Sequence, residues 1–178
     1  MTRTSSTGIR DLKISENETI VDLGGYRQAR RKWIYCFENM KMVFFFASLT
    51  DFDQLCREDD FTNRMSESVK IFNQVSNSKW LSSKRIVLIL TKPDLLVEKM
   101  TRFRSDVDLS ELELNESFRP AFQCVNKDVQ PIVEAIVRRY EKVLINKRLE
   151  FHIVNTTIEN EVKTFMENVR NSCELHNT

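Results

Sequence analysis

"KMVFFFASL", residues 41–49, is apolar almost without a break. An alternating pattern would mark a strand with one wet face. A continuous run suits a strand covered on both faces, as strands of a parallel sheet are. "RIVLIL", residues 85–90, repeats the pattern. Parallel strands need a crossover between them, and "EDDFTNRMSESVKIFNQVSNSKW" (58–80) supplies one. Its Phe61, Met65, Val69 and Phe72 fall at i, i+4, i+8 and i+11, one face of a long helix. Asp59 and Asp60 lie near its start, where negative charge suits the helix dipole.

The pattern extends in both directions. Downstream, "DVQPIVEAIVRRYEKVLI" (128–145) places Ile132, Ile136, Tyr140 and Val143 on one helical face, with Pro131 in the first turn, where proline is tolerated. "EFHIVN" (150–155) is a short strand. "NEVKTFMENVRNSCEL" (160–175) is a last helix with Val162, Phe165, Met166 and Val169 inward. Strand and helix alternate from residue 41 to the end, so the class is α/β. Upstream, "IRDLKIS" (9–15) alternates as a half-buried strand would. "TIVDL" (19–23) follows after a turn at "NE", and the two make an antiparallel hairpin. "YRQARRKWIYCF" (26–37) reads as an amphipathic helix with Trp33, Ile34 and Phe37 on one face. Residues 1–8 read as a loop, and 101–128 are irregular and polar. No repeat or low-complexity tract is visible.

The 178 residues fit one domain or a large piece of one. Hydrophobic residues are 41% and charged residues 30%, enough for a core and against disorder. A net charge of +1 gives no overall field toward nucleic acid or an anionic membrane. The cysteines (Cys36, Cys56, Cys124, Cys173) are far apart and form no CxxC pair, which favours reduced thiols in a cytosolic protein. The apolar runs are too short to span a bilayer. Nothing at the N-terminus resembles a signal peptide, and Gly8 is not placed for myristoylation.

In parallel α/β sheets, ligands bind beyond the carboxyl ends of the strands. "TIVDL" is followed by Gly24-Gly25, "FFFASL" by "TDFD", "IVLIL" by "TKPD" and "FHIV" by "NTT". Glycine, acids, a lysine and hydroxyls converge on one edge. Each stretch alone has a plain reading. Two glycines make an ordinary turn, and Lys-Pro-Asp is common in turns. The basic run from Arg27 to Lys32 would be a solvated helix face. His152 and His176 form no cluster with other ligands, and no Ser-His-Asp arrangement is readable.

Taken together and in order, the stretches resemble a known family. "DLGGYRQARRKWIYCFENM", "DFTNRMSESVKIFNQVSNSKW" and "TKPDLL" resemble the switch II, third-helix and guanine-reading segments of heterotrimeric G protein alpha subunits. The family writes them Asp-Val-Gly-Gly-Gln-Arg, Asn-Arg-Met-x-Glu-Ser and Asn-Lys-x-Asp-Leu. The likeness covers nearly the whole chain and is weakest over 101–128. It implies a Ras-like P-loop NTPase fold, a mostly parallel sheet flanked by helices, running from switch I to the last helix over residues 1–178.

The resemblance also implies ligands and roles. GTP or GDP and magnesium (Mg2+) would be bound. Met1, Thr2, Arg3, Thr4, Ser5 and Ser6 would line the nucleotide, with Arg3 as the in-chain arginine finger and the Ser6 hydroxyl on the metal. Thr7 and Gly8 match the next two residues of that motif. Asp22 would help hold magnesium through water. Leu23, Gly24 and Gly25 would pass the phosphates, with the Gly25 N–H on the gamma-phosphate. Arg30 and Glu67 match a pair that, with Gly25, locks switch II in the triphosphate state. Thr91, Lys92, Pro93 and Asp94 match the guanine reader, and a backbone N–H at Thr156 would reach the guanine oxygen. The helix bearing Arg27, Arg30 and Trp33 would meet the beta-gamma dimer and effectors. A G protein-coupled receptor would act upstream, and the full-length protein would sit on the cytoplasmic face of the plasma membrane. Nucleic acid is not an expected partner.

Four residues depart from the family pattern. Tyr26 stands where a glutamine positions the attacking water, so hydrolysis is expected to be weak. Thr91 replaces the asparagine of the guanine reader, and Asn155-Thr156 replaces Cys-Ala. No GxxxxGK[ST] phosphate loop occurs in the sequence. The family's first strand lies between the strand ending at Asp22 and the one at 41–49. Without it, two inner strand edges are expected to be unpaired. Unpaired buried backbone groups cost about 1–3 kcal/mol each, against a domain's net stability of about 5–15 kcal/mol. The chain is therefore expected to fold poorly or rearrange and to bind GTP weakly. A fragment or incomplete gene model is the simplest explanation. The alternative is a nucleotide-free decoy that binds beta-gamma or an effector.

Overall fold

A computed structural model of the chain describes residues 8–16, 18–102 and 129–174. The hairpin comes first: β1 (Ile9–Lys13) pairs antiparallel with β2 (Thr19–Leu23), Ile9 opposite Leu23. A 3-10 turn (Ala29–Lys32) and a one-turn helix α1 (Ile34–Phe37) lead into β3 (Met42–Ser48). Then come α2 (Arg64–Ser76), β4 (Arg85–Thr91), α3 (Pro93–Arg102), α4 (Gln130–Glu141), β5 (Glu150–Val154) and α5 (Glu159–Glu174). The continuous apolar runs form a parallel sheet in the order β3-β4-β5, with Ser48 beside Thr91 and Thr91 beside Val154.

Strand periodicity sorts the sheet's side chains onto two faces. Ala47, Leu88, Leu90 and Ile153 join Met65, Phe72, Leu96, Val133, Val137 and Tyr140 in the larger core, beneath α2, α3 and α4. Val87, Ile89 and Val154 meet Phe165 and Val169 of α5 on the opposite face. Phe72 is 1% exposed and sits edge-on to Phe45 and Tyr140, at ring-centroid distances of 5.1 and 5.3 Å. The Tyr140 hydroxyl lies 2.8 Å from Ser68 Oγ, and burial pushes its pKa up to about 12.

The two sheets are separate. Among the described residues β2 pairs only with β1, and β3 only with β4. The hairpin is tied to the rest by Leu23, which packs against the cluster of Phe37, Val75 and Leu81, and by an ion pair between Glu18 and Arg170 of α5. Among the described residues the inner edges of β2 and β3 are thus unpaired, as expected from the sequence. Phe46, on the α5 side of β3, stays 60% exposed.

Four local expectations are corrected. β1 is exposed along its whole length rather than half-buried. Residues 26–37 do not form one helix. The backbone runs as a 3-10 turn and then a single helical turn, because Arg30 and Trp33 reach back to the carbonyls of Gly25 and Gly24. Phe37 is buried, but Ile34 is exposed. Phe61 lies before the crossover helix and is 78% exposed. That helix starts at Arg64, where the side chain of Asn63 accepts the Ser66 N–H at 3.0 Å. Asp59 serves the preceding loop instead of the helix dipole. Finally, α3 extends from "TKPD" through Arg102, a helix the sequence reading did not resolve.

β4 and β5 are clamped at their entrance by Arg85, whose Nε and Nη2 reach both Glu150 oxygens at 2.8 and 2.5 Å. Partial burial raises the Glu150 pKa, but His152 and Arg85 outweigh it and bring it from 4.5 down to about 2. At 3.8 Å His152 is too distant for a hydrogen bond, so the Arg85 fork carries the effect. A carboxylate whose pKa is depressed in the folded state stabilises above its unfolded pKa and loses that contribution as pH falls. Glu150→Gln is therefore expected to lower Tm at neutral pH. The gap to the parent chain should close as pH falls from about 4.5 toward about 2. A gap independent of pH in thermal melts would contradict this.

Candidate functional site

Three loops leave the parallel sheet at the same end, because β3, β4 and β5 run the same way in close register. At the β4 tip, the buried Thr91 hydroxyl donates to the Ala47 carbonyl at 3.2 Å, and Leu49 N–H donates to Thr91 O at 3.0 Å. The threonine at the asparagine position thus braces β4 onto β3. Lys92 follows with φ of 62°. Left-handed backbone is uncommon for a lysine, whose β-carbon crowds the carbonyl. Asp60 and Asn146 share this region, but Asp and Asn visit it readily. Lys92 O accepts the Leu96 N–H at 3.2 Å, so the strained residue starts α3. Pro93 is buried, and Asp94 is exposed in the first turn. Lys99, further along α3, donates to Thr50 O at 3.4 Å and pairs with Asp53, fastening α3 to the loop after β3.

At the neighbouring β5 tip the loop Asn155–Ile158 turns into α5. Asn155 is buried, while Thr156 is exposed. Lys92, Asp94 and Thr156 thus lie in two loops at the ends of adjacent strands.

The Gly24–Gly25 stretch reaches this end through α2. Arg30 Nε donates to Gly25 O at 3.0 Å, and its Nη1 lies 2.6 Å from Glu67 Oε1. Arg27 Nε also approaches Glu67, at 3.3 Å, and Arg27 Nη1 pairs with Asp59 at 2.7 Å. Trp33 Nε1 donates to Gly24 O at 3.1 Å. Glu67 stands in the first turn of α2, and the Asn63 cap of that helix donates to Phe52 O at 2.7 Å, just past the β3 tip. The hydrogen bond from Arg30 holds the Glu67 carboxyl below the usual range, against a smaller effect of burial. Hydrogen bonds from the Thr62 hydroxyl and amide hold Asp59 far lower still. Both stay ionised, so the latch works at any physiological pH.

Gly25 is not explained by the fold around it. Its φ is not positive, and a β-carbon there would meet nothing within 4 Å among the described residues. Among the described residues neither turn geometry nor packing demands glycine there.

The sequence model of the G-protein alpha subunit family matches residues 1–173. The chain belongs to the G protein alpha subunit family. It is 30% identical over 173 residues to the guanine nucleotide-binding protein alpha-17 subunit of Caenorhabditis elegans, covering 94% of this chain and 46% of that protein. It is 36% identical over 138 residues to the alpha-6 subunit of Dictyostelium discoideum, 76% of this chain and 37% of that protein. A G(o) subunit alpha from Lymnaea stagnalis is 40% identical over 104 residues, 57% of this chain and 29% of its own length. This alpha-family chain thus spans about half the length, or less, of these curated relatives. With the parallel sheet flanked by helices, the fold is Ras-like.

Within this alpha-family chain, Met1, Thr2, Arg3, Thr4, Ser5, Ser6 and Thr7 lie outside the described residues, as do residues 103–128. Asp22 is exposed on β2. Among the described residues no group of three His, Cys, Asp or Glu side chains could hold a metal. Asp22 alone does not make a magnesium site. Tyr26 is 39% exposed, and its carbonyl accepts the Ala29 and Arg30 N–H groups. The sequence reading missed Asp59 as the partner of Arg27, and the bracing of the β5 loop. Among the described residues no helix is long and apolar enough to cross a membrane.

Proposed function

We propose that this chain is part of a guanine-nucleotide-binding signal transducer, a partial Ras-like GTPase domain that reads the base at the β4 and β5 tips. The observation that carries this reading is the placement of Lys92-Pro93-Asp94 and Thr156 in adjacent loops of a sheet whose register sets them side by side. The Asp94 carboxylate would accept the two N–H groups of the guanine edge, and the Thr156 N–H would meet the ring oxygen. The Gly25-Arg30-Glu67 latch would hold the phosphate-facing segment. Hydrolysis would be slow, because the Tyr26 phenol lacks the amide that orients water in the family. Coupling to receptor, beta-gamma dimer and effector at the cytoplasmic membrane face, and a role for Ser6 and Asp22 toward magnesium, belong to the same reading.

Titration of the purified chain with a fluorescent GTP analogue, with and without magnesium, tests it. Weak saturable binding, competed by GDP and not by ATP, is expected. No saturation in either condition would remove the nucleotide reading.

Gly25→Ala sharpens the test. The open space at Gly25 predicts a Tm unchanged or raised, since alanine restricts the unfolded chain by about 0.4–1 kcal/mol. Affinity for a triphosphate analogue should fall about tenfold, with that for GDP nearly unchanged. An equal loss for both nucleotides would argue against a gamma-phosphate contact.

A second reading is favoured by one observation. The latch is made entirely of protein groups and borders a groove of about 530 Å³ whose lining includes Arg27, Phe61, Lys70, Ile71 and Gln74. A nucleotide-free decoy could offer this surface to beta-gamma or an effector. It predicts beta-gamma capture unaffected by GTP or magnesium.

A further inference from the structure

The loop joining β5 to α5 spends its hydrogen-bonding groups unevenly. Asn155 N–H donates to Glu161 Oε2 at 2.9 Å. Thr157 donates twice to Asn155 Oδ1, from its N–H at 3.1 Å and its hydroxyl at 2.7 Å. Ile158 N–H donates to Asn155 O at 3.1 Å. Of the four N–H groups from Asn155 to Ile158, three are thus taken by protein acceptors. Among the described residues the fourth, on Thr156, has none. Asn155 is 8% exposed, so this arrangement is built into the core side of the loop, while Thr156 faces solvent.

We infer that Asn155 and Glu161 are positioning residues for base recognition, fixing the loop so that the Thr156 N–H is its one spare backbone donor, aimed at the 6-keto oxygen of a purine. The inference deepens the guanine-nucleotide reading above and rests on it. A carboxylate accepting a backbone N–H makes a strong, charge-assisted bond. With that bond the β5 end and the first turn of α5 hold the loop from both sides. Without it, the Asn155 N–H is left buried and unmatched, and the loop relaxes toward other arrangements in which the Thr156 donor is misplaced. The β-branch of Thr156 makes the demand stricter, because a bulkier residue than alanine leaves less freedom to adjust.

The experiment compares GDP with 6-thio-GDP on the parent chain, Glu161→Ala and Glu161→Gln. The thio analogue keeps both N–H groups that face Asp94 and changes only the 6-acceptor, sulfur being the weaker. The parent chain should prefer GDP by about tenfold, the scale of one net hydrogen bond. E161A should bring the ratio to about twofold or less. E161Q, whose amide oxygen still accepts the Asn155 N–H, should restore most of it. If E161A lowers Tm and leaves the ratio intact, Glu161 is only a helix-end brace and the inference falls while nucleotide binding stands. If the parent chain binds neither nucleotide, the guanine reading fails and takes this inference with it.

Discussion

Phe72→Ala is expected to lower the unfolding free energy by about 3–5 kcal/mol, the range for removing a buried phenylalanine. The ring is 1% exposed and shares edge-on contacts with Phe45 and Tyr140. Such pairs add about 0.5–1.5 kcal/mol beyond area burial, so the upper part of the range is expected. It lies where α2, α4 and β3 meet, and backbone around it cannot collapse without moving all three elements. For a domain of this size about 1 kcal/mol shifts Tm by roughly 2–4 °C, giving a fall of roughly 6–20 °C. Domains have only about 5–15 kcal/mol in hand, and among the described residues β2 and β3 each keep an inner edge unpaired. Phe72→Ala could therefore leave little folded chain at 37 °C. Phe72→Leu, which keeps most of the volume, should lose much less. Equal losses for the two variants in chemical denaturation would show that the site is loosely packed.

Asp94→Ala is the second large effect, and it falls on binding. A carboxylate facing two N–H groups makes two charge-assisted bonds, each worth about 1.5–3 kcal/mol. Losing them should weaken GDP binding by about 100-fold or more. The cost to the fold is small, because Asp94 is exposed and its service to the α3 dipole is worth about 0.3–1 kcal/mol. Isothermal titration and a thermal melt separate the two. Asp94→Asn adds a change of preference. Its amide can donate, so it should favour xanthosine diphosphate, whose base carries an oxygen where guanine has its amino group. If Asp94→Ala leaves GDP affinity untouched, the base is not read at this loop.

Much of this architecture is readable from residue patterns, for physical reasons. The runs at 41–49 and 85–90 are apolar on both faces because helices pack on both faces of the sheet they form, although Phe46 on β3 stays exposed. The loops at the strand ends are likewise fixed by direction, and Lys92, Asp94 and Thr156 fall together once β4 and β5 are parallel. Residues 26–37 were less legible. Their helical spacing is real, but Arg30 and Trp33 bond back to the two glycine carbonyls, and those side-chain contacts override local periodicity. Phe61 matched a helical face by spacing, yet the Asn63 cap starts the helix after it, and the loop held by Asp59 leaves the ring in water. The partnership of Asn155 with Glu161 leaves no trace in composition, since it depends on how the chain turns between β5 and α5. A Pro in the first turn with Leu95, Leu96 and Lys99 beyond could have disclosed α3.

The flanks of β2 and β3, open among the described residues, carry a further consequence for handling and for life in a cell. A bare strand border next to an exposed phenylalanine is a template on which other chains can add. Yield should therefore fall steeply with concentration, and Phe46→Lys, placing charge beside that border, should keep the protein monodisperse to higher concentrations in light scattering. Inside a cell the same border would be a handle for holdase chaperones, so abundance would be set by triage as much as by synthesis.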